Sequence, residues 1–132
     1  MATYCHDSFV PMSQAKLQEV AQWCQKFLNL RDWNIKVFLE VSVPEWLQKA
    51  FVDDGRVASV KVLLPYFTAW IWVSPERMRN CDHQPACCIC HEMIHVLLFH
   101  YGFSNHNEQL VTTLENSLYQ NWKNRRYLKG IN

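Results

Sequence analysis

Glycine is scarce in this chain of 132 residues, with three copies, which argues against long flexible linkers and for one compact domain over 1–132. No stretch approaches the roughly eighteen consecutive apolar residues that a membrane-spanning helix needs. The segment Met1–Pro11 lacks the basic start and apolar run of a secretory leader, carrying His6 and Asp7 instead. Charge of one sign is also missing. Thirteen Lys and Arg against twelve Asp and Glu leave a formal net charge of +1, so the balance asks for no polyanionic partner. These absences lead to the expectation of a soluble, cytoplasmic protein with no membrane partner.

What is present is apolar. Hydrophobic residues make up 49% of the chain and aromatics 14%, with six Trp, ample for one buried core. Six cysteines (Cys5, Cys24, Cys81, Cys87, Cys88 and Cys90) are expected as reduced thiols, since Cys87, Cys88 and Cys90 share one helical turn where mutual pairing is poor. No pair of Cys-x-x-Cys motifs supports a thiolate metal site.

The patterning predicts an α+β fold. Leu17, Val20, Ala21, Cys24, Phe27 and Leu28 recur at helical spacing, placing an N-terminal helix over about Ser13–Leu30. Trp33–Val41 alternates as a half-buried strand. After the Asp53-Asp54-Gly55 turn, a second strand runs through Val57, Val60, Val62 and Leu64, and Phe67–Ser74 forms a third. Together they make a small, mostly antiparallel sheet of about three strands. From Pro85 to Tyr101 the sequence is apolar nearly all round, the mark of a central buried helix, and Gly102 fits its C-terminal cap. A last helix covers about Asn107–Tyr127.

Three residues interrupt the apolar helix: His91, Glu92 and His95. Burying such groups costs several kcal/mol unless each is paired or bound to a metal. Spacing of four residues puts both imidazoles on one face, where they can reach one ion. Glu92 is offset by about 100° around the axis, beside the ion without ligating it. His-Glu-x-x-His is this arrangement, and it implies one zinc ion with Glu92 as general base towards a metal-activated water. A zinc of this type needs a third protein ligand. The metzincin spacing fails, because Tyr101 stands where the third His would fall. Glu108, opening the last helix, is the favoured ligand, although the helix dipole alone would favour an acid there. His106 and Glu115 are the alternatives, and His100 is turned away from the His91 and His95 face.

The segments Asp32–Val37, Ala69–Val73, Cys90–Leu98 and Asn107–Val111 resemble small zincin-type, gluzincin-like metallopeptidase domains of phage and bacterial genomes. The resemblance implies a minimal zincin-like fold, zinc held by His91, His95 and Glu108, and a peptide or protein substrate bound along the edge of the Phe67–Ser74 strand. His91–Phe99 is also similar to SprT-like DNA-repair proteases, which take a third His followed by Gly; here Asn107 follows His106. Three functions remain open at this point: a zinc metallopeptidase, a non-catalytic zincin-like binding module, or a DNA-associated protein using the basic cluster Lys123, Arg125, Arg126 and Lys129 on phosphate. Tyr101, Tyr119 and His100 are the candidates for stabilising an oxyanion. No feature of the sequence fixes the oligomeric state.

Overall fold

The computed structural model describes residues 7–48 and 53–128. Helix α1 (Gln14–Phe27) begins at Ser13, whose hydroxyl accepts from Lys16 N at 3.1 Å, and it buries Leu17, Val20, Ala21 and Cys24. Strand β1 (Asn34–Leu39) follows, then a four-residue helix α2 (Glu45–Gln48). Strand β2 (Ala58–Leu63) and strand β3 (Thr68–Val73) are joined by a 3₁₀ turn, Leu64–Tyr66, capped by Phe67 at a positive φ of 46°. Helix α3 (Pro75–Asn80) was not expected from the sequence, although Ser74 followed by Pro75 is a proper helix start. Helices α4 (Pro85–His100) and α5 (Glu108–Lys123) complete the fold, with a 3₁₀ segment at Arg125–Leu128.

The α+β expectation holds, and so does the strand count, but the sheet is mixed. Its order is β1-β3-β2, with β1 parallel to β3 and β2 antiparallel to it. The short turn after β2 forces β3 to run back beside it, and β3 then inserts next to β1. The third strand is therefore central, not an edge. Its burial on both faces explains its near-continuous apolar run.

The two edges of the sheet differ. Along β1, Gln18 Nε2 donates to Ile35 O at 2.8 Å and Gln18 Oε1 accepts from Val37 N at 2.8 Å, while Gln14 Oε1 accepts from Leu39 N at 3.3 Å. These side-chain amides stand where a fourth strand would. At the other edge, Ser74 N donates to Val57 O at 2.9 Å. Antiparallel pairs alternate, so Ser59, Lys61 and Leu63 share hydrogen bonds with β3, and Ala58, Val60 and Val62 turn their N–H and C=O outward. Among the described residues no side chain seals them.

One face of the sheet packs on α1 and α4, with α5 behind. Ile89 and Met93 on α4 are fully buried there, each contributing about 1.5–3 kcal/mol. The other face is covered in part by α2, through Val43, Trp46 and Leu47 on Trp72. Helix α4 is apolar all round because neighbours surround it. It ends as expected at Gly102 (φ 86°), with Gly102 N on Phe99 O and Phe103 N on Leu98 O, both at 3.0 Å.

No helix among the described residues is long and apolar enough to cross a membrane. Cys24, Cys81, Cys88 and Cys90 carry free thiols, whereas Cys87 is disulfide-bonded, a departure from the expected reduced set. Cys5 and Lys129 lie outside the described residues.

Candidate metal centre

Helix α4 presents His91 and His95 from successive turns, and α5 brings Glu108 to them from its first residue. Asn107 fixes that start, its side chain accepting from Leu110 N at 3.0 Å. The Nε2 atoms of the two histidines are 3.3 Å apart, and the Glu108 oxygens lie 3.6 Å from His95 Nε2 and 3.7 Å from His91 Nε2. Potential ligand atoms of all three residues fall within 4.8 Å of one another. At metal–ligand lengths of about 2.0–2.1 Å, the ligands of a tetrahedral zinc are separated by about 3.3–3.4 Å. The donor set therefore fits zinc in both type and spacing.

The other ring nitrogens are held from behind. His91 Nδ1 donates to Glu115 Oε1 at 2.6 Å, and Glu115 is 1% exposed, with Oε2 at 3.1 Å from Cys87 Sγ. His95 Nδ1 meets His106 Nδ1 at 2.6 Å, and His106 Nε2 lies 2.8 Å from Phe103 O. Such outer partners fix which nitrogen of a ligating imidazole faces the ion.

Electrostatics sharpen the picture. Burial lowers the proton affinity of His91, but the hydrogen bond to Glu115 and the charges of Glu92, Glu115 and Glu108 outweigh it, pushing its pKa up to about 9. Burial and the neighbouring His91 and His106 bring His95 down to about 4, leaving its ring neutral. Burial raises Glu92 to about 7, against the opposing pull of His91. Glu92 is 5% exposed and lines both cavities that meet at the cluster.

Those cavities flank the histidines. One, of about 290 Å³, lies among Val57, Ala58, Cys88 and Glu115; the other, of about 570 Å³, runs past Ala58, Ser59, Val60, Phe99 and His106. Both are bordered by the open edge of β2. No protein-family model, characterised protein or solved structure matches this chain.

The structure brings together His91, Glu92, His95 and Glu108. Glu115 and His106, the alternative third ligands, sit one bond further out, behind His91 and His95 respectively. His100 is elsewhere, its Nδ1 accepting from Trp33 Nε1 at 3.0 Å. Tyr119 donates to Asp7 Oδ2 at 2.6 Å, and Tyr101 is 68% exposed; neither lines either of these two cavities. The basic C-terminal cluster is partly engaged internally: Lys123 pairs with Asp7 at 2.9 Å, and the Arg125 guanidinium lies 4.3 Å from the Trp122 ring centre. Sequence reasoning overlooked Arg56, which lines both cavities and is paired with Asp54 through Nε at 3.0 Å. Only its place just ahead of β2, three residues after the Asp-Asp-Gly turn opens, could have flagged it.

Proposed function

We propose that this protein is a zinc-dependent metallopeptidase acting on an extended peptide segment. The observation that carries the reading is the convergence of two imidazole Nε2 atoms and the Glu108 carboxylate at tetrahedral-edge spacing, with Glu92 beside them. His91, His95 and Glu108 would hold the ion. Zinc, when bound, supplies Lewis acidity, lowering the pKa of a water towards about 7 and polarising a carbonyl.

The remaining work falls to the chain. Glu92 takes a proton from the attacking water and returns it to the departing amide nitrogen. A carboxylate raised to about 7 suits both directions of that transfer at neutral pH. The outward N–H and C=O groups of Ala58, Val60 and Val62 offer ladder partners to a peptide laid along β2, which borders the His91 and His95 face. That role moves from the third strand, where the family resemblance put it, to the second, because the third is covered on both sides.

The test is metal analysis of protein purified without added zinc, together with hydrolysis of a broad peptide library. Near-stoichiometric zinc that disappears in His91→Ala, with cleavage that disappears alongside it, is expected. A protein that takes up no zinc under any loading condition would sink the proposal. Full zinc with no cleavage of any peptide would instead leave a binding module.

A further inference from the structure

We infer that His106 is a positioning residue, through which the loop after α4 sets the tautomer and orientation of the metal-facing His95. The inference rests on the metal-centre reading and adds to it a function for a residue that ligates nothing. A backbone carbonyl can only accept, so the 2.8 Å contact with Phe103 O places a proton on His106 Nε2. In the neutral ring, Nδ1 is then an acceptor. The 2.6 Å contact between the two Nδ1 atoms is satisfied when His95 Nδ1–H donates across it. That leaves the lone pair of His95 on Nε2, the nitrogen that faces His91 and Glu108.

Packing fixes the same arrangement. The His106 and His95 rings lie 19° from parallel with centroids 4.9 Å apart, which with Nδ1 atoms 2.6 Å apart sets them edge to edge as the hydrogen bond requires, and the Phe99 ring packs on His106 at 4.4 Å. Gly102 at φ 86° turns the chain so that Phe103 O can meet His106. The hydrogen-bond series from Phe103 through His106 to His95 thus ties backbone geometry outside α4 to one ligand atom inside the site. His91 has an independent anchor in Glu115. The two ligands are oriented by different segments of chain.

The first test needs no metal. Long-range ¹H–¹⁵N spectra of the histidine side chains in zinc-free protein at neutral pH should show His106 as the Nε2–H tautomer and His95 as the Nδ1–H tautomer. His106 carrying its proton on Nδ1 overturns the inference. The second test separates hydrogen bonding from packing. His106→Phe keeps a ring but loses the acceptor, and zinc affinity should fall roughly 10- to 100-fold, whereas His106→Asn places an oxygen near the Nδ1 position and should stay within about threefold of wild type. The reverse order, or equal losses in both variants, would mean that His106 only fills space. A wild type that takes up no zinc overturns the metal centre itself, and the tautomer spectra, read without metal, keep that failure distinct.

Discussion

The two edges of the sheet show how differently one fold treats equivalent backbone. Along β1, Gln18 and Gln14 from α1 meet the outward Ile35 O, Val37 N and Leu39 N, so that edge is in part occupied within the chain. Along β2 the outward-facing residues Ala58 and Val60 line the cavity that also holds His91, Glu92 and His95. A glutamine amide carries both N–H donors and a C=O acceptor, as a strand's peptide groups do, so two such side chains can stand in for part of a neighbouring strand. Among the described residues no such side chain is spent on β2, and that edge is the one beside the ionisable cluster.

The largest effect that could break this comparison concerns chemistry. Glu92→Gln should keep zinc and peptide binding along β2 while lowering hydrolysis by about 10²- to 10⁴-fold, the usual contribution of a general base; steady-state cleavage with parallel metal analysis measures both. An unchanged rate would reduce the open edge to a docking strip.

Acidity should act on one edge only, because Gln14 and Gln18 do not titrate. His91 holds a proton up to about pH 9 in the zinc-free protein, and a protonated imidazole has no lone pair for an ion. His95, brought down to about 4, does not compete. Zinc affinity should therefore rise about tenfold per pH unit between 6.5 and about 8.5, with about one proton released per ion. Calorimetry in buffers of different ionisation heat would count that proton, and zero release at pH 7 would contradict a raised His91 pKa.

Smaller effects separate the edges structurally. Gln18→Ala removes the partners of Ile35 O and Val37 N and should destabilise the fold by about 1–3 kcal/mol in denaturant titration, without altering zinc content. Val60→Pro deletes an outward N–H that no described group uses. It should move the thermal midpoint little while raising KM for peptides several-fold. A large stability loss in Val60→Pro would show that β2 is not free.

Much of this is legible in the sequence where a residue conflicts with its surroundings. His91, Glu92 and His95 stand out because they break an otherwise apolar helix, and Glu108 because it opens the next one. The strand order is harder to read. Phe67–Ser74 is apolar on consecutive positions, which suits a strand covered on both faces, while Ser59 and Lys61 give the second strand the more polar character of an edge. The family resemblance pulled the edge to the wrong strand. The duties of His106 and Glu115 were beyond reach, because they depend on a glycine turn and on ångström-scale distances between side chains from three segments. Helix α3 escaped notice because six residues are too few to show a period.

Gln18 has one more consequence, for how copies of this protein could join. Fibrous growth through strand pairing requires two adhesive edges, so that each added copy offers a fresh one. Here α1 has removed one of them. If β2 strands of two copies pair, the result is a closed twofold dimer with nothing left to propagate, and each copy shields the other's histidines. The helix that occupies β1 thus leaves, among the described residues, one strand edge rather than two for pairing along the sheet.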